Sequence, residues 1–151
     1  LNDFIYATPT DQGLKDRVAR FMQWESTMRV LICDDSDDLC AALAMALEFE
    51  GHVVDQANTG KEALEKLQAT RFDALLLDLD LPEESGWEVA AAIRAQPHLD
   101  GLRIVVFSGR SRDTDRARSL AAGADVHLIK PATVDEIEDA LRGPPAVAAL
   151  G

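Results

Sequence analysis

A chain of 151 residues is about one domain long, enough to bury a core without help from disulfides or structural metals, and its 47% hydrophobic content points to a folded globular protein. The formal charge of −12, from 27 acidic against 15 basic residues, argues against direct contact with nucleic acid or an anionic membrane, since either needs a clustered basic face. A divalent cation or a basic partner surface suits such a chain better.

Residues 1–27 differ in character from the rest of the chain. Leu14, Val18, Phe21 and Met22 recur at helical spacing after Thr10, a suitable cap, which predicts a short amphipathic helix over about 11–25. The plainer reading is a leader or linker with no part in the chemistry; the sharper one is a helix that docks its apolar stripe on the domain or on a second copy. Met28 looks like a natural start, and from there strand and helix patterns alternate five times, defining a domain over 28–143. Val30 to Cys33 is a short apolar run that ends at Asp34 and Asp35. Leu39, Leu43, Ala46 and Leu47 mark the inward stripe of a first helix, closed by Gly51. His52 to Asp55 reads as a second strand. The sequence Thr59-Gly60-Lys61-Glu62 is a capping box that opens a second helix with Ala63, Leu64 and Leu67 inward.

The third strand carries the strongest signal. Leu75, Leu76 and Leu77 in succession need burial on both faces, as in a central parallel strand, and they run straight into Asp78 and Asp80. Pro82 and Gly86 punctuate the loop beyond them. Ser85 to Glu88 is a second capping box, for a helix ending near Pro97. Arg103 to Phe107 forms a fourth strand that stops at Ser108. A fourth helix runs from about Asp113 to Ala122 with Gly123 as its stop, Val126 to Ile129 forms the fifth strand, and Thr133 to Glu136 caps a last helix ending near Arg142. The Gly-Pro-Pro-Ala tail, 144–151 with its glycine, cannot continue it. Five strands alternating with five helices imply an α/β fold with right-handed crossovers and a parallel sheet covered on both faces.

In such a sheet the carboxyl ends of all strands lie on one edge, where open α/β folds place their ligand sites. Asp34, Asp35, Asp78, Ser108 and Lys130 each end a strand there, so three carboxylates, a hydroxyl and an ammonium should converge. Three anions so close repel one another, and a bound Mg²⁺ with oxygen ligands is the usual relief. One carboxylate can then act as a nucleophile toward a phosphoryl group, with the lysine and the serine hydroxyl stabilising the oxygens that are transferred. By contrast Asp37 and Asp38 read as first-turn charges favoured by the helix dipole. Cys33 and Cys40, seven residues apart and without Cys-x-x-Cys spacing, read as reduced core thiols of a cytoplasmic protein. Trp87 reads as partial core, and His52 and His98 as loop or edge residues. No apolar run approaches the ~18 residues of a membrane span, and no signal peptide is evident.

These residues resemble, in order, the motifs of the receiver domain of two-component response regulators, from Arg29 to about Arg142. Asp34 and Asp35 resemble the acidic pair that holds Mg²⁺ (or Mn²⁺). Asp78, with Pro82 and Gly86 beyond it, resembles the phosphoacceptor and its loop. Ser108 resembles the Ser/Thr switch residue. Lys130 and Pro131 resemble the lysine that contacts the phosphoryl group and a proline whose peptide bond is usually cis. The segment Ala121 to Asp125 resembles the turn before the fifth strand. The resemblance implies a flavodoxin-like sheet of order 2-1-3-4-5 and transfer of a phosphoryl group from a histidine kinase or phosphotransfer protein to Asp78. It also implies a metal contact from the Asp80 carbonyl and an output surface of the fourth helix, fifth strand and fifth helix. Output would then be contact with an unidentified protein target, with no direct nucleic-acid or membrane binding, and pairing of two copies left open.

The family usually has Tyr or Phe three residues before the lysine, where this chain has His127; a half-exposed histidine at a strand edge is the plainer reading of that position. Asp80 and Arg110 are each two residues past a motif residue; one reading pairs them across the pocket mouth, but solvated surface charges are the default. Two other functions fit parts of the pattern. Asp78-Leu79-Asp80 after an apolar strand also resembles the Asp-x-Asp motif of haloacid-dehalogenase phosphatases, but that family's acidic metal pair comes late in the chain. A receiver fold used as a phosphorylation-independent docking module is the other.

Overall fold

A computed structural model describes residues 27–143, together with 13–15 and 18, which are helical. The predicted helix over 11–25 therefore falls largely outside the described residues, as does the tail. The strands are β1 (Arg29–Cys33), β2 (Val53–Ala57), β3 (Ala74–Leu77), β4 (Arg103–Ser108) and β5 (Val126–Ile129). The helices are α1 (Asp37–Phe49), α2 (Gly60–Ala69), α3 (Gly86–Arg94), α4 (Asp113–Ala121) and α5 (Val134–Arg142), with one 3-10 turn at Pro97–Leu99. The sheet is parallel throughout, in the order β2-β1-β3-β4-β5.

Side chains of successive strand residues point to opposite faces, and the core divides accordingly. Leu31, Cys33, Leu75, Leu77, Ile104 and Val106 face one layer, where Ala63 and Leu67 of α2 and Val89, Ala90 and Ile93 of α3 cover them. Val30, Ile32, Ala74, Leu76, Val105 and Phe107 face the other, under Leu43, Ala44 and Leu47 of α1 and Ile137, Ala140 and Leu141 of α5. Leu75, Leu76 and Leu77 are fully buried because β3 is the middle strand and has helices on both sides.

Helix ends follow the local chemistry. The hydroxyls of Ser36, Thr59, Ser85 and Thr133 each accept the backbone N–H three residues on, and only Thr133 completes the reciprocal box, its own N–H donating to Glu136 Oε1. At Thr59 and Ser85 the expected box is therefore half made. Gly51 and Gly123 adopt φ of 99° and 110° just past α1 and α4, a backbone conformation that an L side chain resists.

Three expectations change. The buried stripe of α1 is Cys40, Leu43, Ala44 and Leu47, with Leu39 and Ala46 at its margins. A helix face about 100° wide holds either neighbouring set, and the sheet selects the one centred on Cys40 and Leu47. The second strand is Val53–Ala57 instead of His52–Asp55, because pairing with β1 runs from Arg29↔Val53 to Cys33↔Ala57. His52 is not a loop or edge residue but is buried. Its Nδ1 accepts the Met28 N–H at 3.0 Å, so Nε2 carries the proton and donates to Glu138 Oε1 at 2.6 Å. Arg142 Nε, half-buried, donates to the other oxygen, Glu138 Oε2, at 3.1 Å, and this trio ties α5 to the start of the sheet.

Candidate functional site

Register places the site. Cys33 pairs with Leu77 across β1 and β3, so Asp34 and Asp78, one residue further on, leave the sheet side by side from strands about 4.8 Å apart. Backbone bonds hold them there: the Asp34 N–H donates to Ala57 O and the Asp78 N–H to Cys33 O. Ser108 pairs with Ile129 across β4 and β5, and the Lys130 N–H donates to Ser108 O at 2.8 Å, which brings Lys130 to the same edge. The Lys130–Pro131 peptide bond is cis.

Asp34, Asp35 and Asp78 each offer an oxygen within 4.8 Å of the others. Asp34 and Asp78 are buried, whereas Asp35 is exposed at the rim. Lys130 Nζ lies 3.0 Å from Asp34 Oδ2 and 3.6 Å from Asp78 Oδ1, with the face of Phe107 5.3 Å away. One ammonium cannot neutralise three carboxylates. Burial first, then the negative charge of Asp34, push the Asp78 carboxyl above the usual aspartate range, and Lys130 only partly offsets them. The donor set is all carboxylate oxygen, the chemistry of a hard divalent cation and not of zinc or copper. The thiols nearby are no rivals as nucleophiles, since burial pushes Cys33 up to about 12 and Cys40 up to about 11.

The loop after β3 is held close. Gly86 N–H donates to Leu79 O at 2.9 Å, and a Cβ on Gly86 would stand 2.2 Å from the Asp78 carbonyl oxygen. No residue larger than glycine fits there without moving the backbone that carries Asp78. Trp87, next in the chain, is buried as expected of partial core.

The structure also pairs Asp80 with Arg110. Nη2 and Nε of the guanidinium donate to Asp80 Oδ1 at 2.8 and 3.1 Å across the mouth of the pocket, in an exposed setting. Ser108 is fully buried, and its Oγ accepts the Arg110 N–H at 3.2 Å.

His127 departs from the half-exposed edge residue expected: it is 8% exposed and bonded at both nitrogens. The Arg110 carbonyl can only accept, so His127 Nε2–H donates to it, at 2.7 Å, and in the neutral ring Nδ1 accepts from Ser119 Oγ–H, also at 2.7 Å. Ser119 Oγ accepts in turn from Trp87 Nε1–H at 2.9 Å, and the Arg118 guanidinium lies 4.1 Å over the Trp87 ring. Neither Ser119 nor this chain of bonds was visible in the sequence. The one faint signal was a serine on the inward face of a helix otherwise rich in charge.

The comparisons with known proteins agree with this geometry. A profile of the response regulator receiver domain matches residues 30–142. The chain is 39% identical over 112 residues to the transcriptional regulatory protein PrrA of Mycobacterium leprae, covering 74% of this chain and 47% of that protein. It is 37% identical over 110 residues to the response regulator MprA of Mycobacterium avium, covering 73% and 47%. It thus spans about half the length of the curated relatives it matches. Among solved structures it is similar to the chemotaxis response regulator CheY4 of Vibrio cholerae, at 28% identity and TM-score 0.72 over 77% of this chain and 97% of that one. It is also similar to a response regulator from Burkholderia pseudomallei with a phosphorylated aspartic acid, calcium ion and citrate, at 32% identity and TM-score 0.70 over 81% and 69%. With the profile covering most of the chain and the sheet order and acidic edge in accord with it, the chain belongs to the response regulator receiver domain family.

Proposed function

We propose that residues 28–143 form the receiver unit and that Asp78 is its phosphoacceptor. The observation that carries this is the convergence of Asp34, Asp35, Asp78 and Lys130 on one edge of the sheet, where a single ammonium faces three carboxylates. Asp34, Asp35 and Asp78, with the Asp80 carbonyl, would hold Mg²⁺ (or Mn²⁺). When bound, that ion offsets the charge that develops on the phosphoryl oxygens. In the transfer an Asp78 carboxylate oxygen bonds to phosphorus as the phosphorus–nitrogen bond of a phosphohistidine breaks, and the electron pair returns to the donor's imidazole. Lys130, now drawn to Asp34 and Asp78, pairs with a phosphoryl oxygen. This is a switch with at most self-catalysed phosphotransfer and dephosphorylation, not a multiple-turnover enzyme.

The hydrogen bonds suggest how the switch is read. A turn of the Ser108 hydroxyl toward the phosphoryl group would strain its bond from the Arg110 N–H, and Arg110 in turn holds His127 through its carbonyl. A shift at Ser108 is therefore passed to β5 and, through Ser119, to α4, which fits an output surface of α4, β5 and α5. The donor is a histidine kinase or phosphotransfer protein of the cytoplasm and the target is another protein. The match covers about half of the relatives named as transcriptional regulators, so control of transcription is not carried over to this chain. No helix among the described residues is long and apolar enough to cross a membrane.

Incubation with acetyl phosphate and Mg²⁺ should give an acid-stable, base-labile phosphoprotein that Asp78→Asn abolishes. Steady turnover of small phosphate esters would instead favour the phosphatase chemistry, and absence of labelling the docking module.

A further inference from the structure

The acidic pair stands on a turn. β1 stops at Cys33 and α1 starts at Asp37, so Asp34 and Asp35 lie on the three residues between them, closed by Ser36. The Asp34 N–H is tied to Ala57 O, and beyond it side chains set much of the shape. Three of their bonds are local: the Ser36 N–H donates to Asp34 Oδ1 at 2.9 Å, the Ser36 hydroxyl accepts the Leu39 N–H at 3.2 Å, and Cys40 Sγ–H donates to the Asp34 carbonyl at 3.4 Å.

A further clasp comes from elsewhere in the chain. Asn58, in the turn between β2 and α2, places Nδ2 at 3.1 Å from the Asp34 carbonyl oxygen and 2.8 Å from Asp37 Oδ1. A carbonyl and a carboxylate both accept, so the amide presents its NH₂ end, whose two hydrogens match the two oxygens. Asp37 is therefore more than a charge favoured by the helix dipole: its carboxylate anchors Asn58 at the first turn of α1. The fork joins the start of the acidic turn to its end, residues 24 and 21 positions away from Asn58.

The two common hard cations differ in what they ask of such a turn. Mg²⁺ demands a near-octahedral set of oxygens at about 2.1 Å, whereas Ca²⁺ takes about six to eight oxygens at about 2.3–2.6 Å in a flexible shell. A turn that holds two carboxylates still matters far more to the first ion than to the second. Asn58 is neutral and bonds to none of the four groups assigned to the ion, so removing it alters the geometry of the site and leaves its charge as it was.

We propose that Asn58 is a positioning residue of the cation site, its amide fixing Asp34 and Asp35 in the arrangement that Mg²⁺ requires and so setting the preference for Mg²⁺ over Ca²⁺. The inference rests on the cation site proposed above.

Calorimetric titration of the full chain with Mg²⁺ and, separately, with Ca²⁺ tests this on the parent, on Asn58→Ala and on Thr59→Ala. Thr59 is the next residue and caps α2, so its loss loosens the same loop without touching the acidic turn. Asn58→Ala is expected to weaken Mg²⁺ binding about tenfold and Ca²⁺ binding by less than about threefold, with Thr59→Ala lowering Tm and holding both affinities within about twofold of the parent. In EDTA the amide signals of Asp35, Ser36 and Asp37 should shift in the nitrogen–proton spectrum of Asn58→Ala while those of β3 stay in place. An unchanged Mg²⁺ affinity in Asn58→Ala overturns the proposal. Equal losses for the two ions overturn it as well, and so does a loss in Thr59→Ala as large as that in Asn58→Ala. A parent that binds neither ion is a separate result, which removes the cation site itself and this proposal with it.

Discussion

Replacing Asp78 with asparagine should make the metal-free protein more stable. Asp34, Asp35 and Asp78 offer oxygens within 4.8 Å of one another. At an effective dielectric of about 20, two unit charges at that separation repel by about 3.5 kcal/mol, so the Asp78 carboxylate feels roughly 7 kcal/mol from its two neighbours. Lys130, at 3.6 Å, returns about 4.6 kcal/mol of attraction. Asp35 is exposed and its share is cut by solvent and salt, which leaves a net repulsion of roughly 1–2 kcal/mol. Asparagine has the same shape and no charge, so it should gain that amount, which for a domain of this size raises Tm by about 5 °C.

The assay is thermal and urea unfolding followed by circular dichroism, in EDTA and in Mg²⁺, at neutral pH. In EDTA the variant should melt above the parent. With Mg²⁺ at a hundred times its dissociation constant the parent should gain about 2.7 kcal/mol and the variant much less, so that the order reverses. If the variant melts below the parent without metal, or if Mg²⁺ shifts both equally, then Asp78 is not a repelled member of a shared cation site.

Gly86→Ala should cost about 1–3 kcal/mol in urea unfolding and slow labelling by acetyl phosphate, since the new methyl meets the Asp78 carbonyl; Gly101→Ala, with open space around it, is the control and should leave both unchanged. If the guanidinium held on Asp80 screens the proposed phosphoacceptor from water, Arg110→Ala should shorten the lifetime of the phosphorylated protein, read by loss of radiolabel; an unchanged lifetime removes that role. Burial would raise the Glu138 carboxyl, but the hydrogen bond from His52 and the nearby Arg142 charge outweigh it and hold it below the usual glutamate range. A depressed carboxyl gives stability that is present above its unfolded value, about 4.3, and is lost as pH falls through the folded value, so Glu138→Gln should cost about 2 kcal/mol at neutral pH and flatten the acid limb of the stability profile.

What could be read ahead of the coordinates was whatever depends on order along the chain. The parallel sheet sends every strand the same way, so a polar residue that ends an apolar run must arrive at the common edge, and Asp34, Asp78, Ser108 and Lys130 did so whatever the details of packing. The pairing of Asp80 with Arg110 was one of two readings, solvated charges being the default, and the structure makes the pair. What stayed hidden depends on contacts between faces. His52 and Glu138 are 86 residues apart, and nothing in either neighbourhood announces the other. The face of α1 that turned inward was decided by the sheet, because the helix carries two apolar stripes, one buried and one in water.

Arg110 is where the two kinds of contact meet. Its side chain grips Asp80 in the loop after Asp78, the proposed phosphoacceptor, its N–H is held by Ser108, and its carbonyl holds His127. In this structure His127 has both nitrogens committed, Nε2 as donor to that carbonyl and Nδ1 to the Ser119 hydroxyl. A phenylalanine at this position could swing with no polar bond broken, and a tyrosine would release at most its hydroxyl. The buried His127 must break two hydrogen bonds to move, and each polar atom left unpaired inside costs about 1–3 kcal/mol. If Asp78 is the phosphoacceptor proposed above, a switch built this way would stay shut more firmly without phosphorylation and would open only where the new bonds to the phosphoryl oxygens outweigh those lost, so Ser119 and the Arg110 carbonyl would set the threshold as much as Asp78 does.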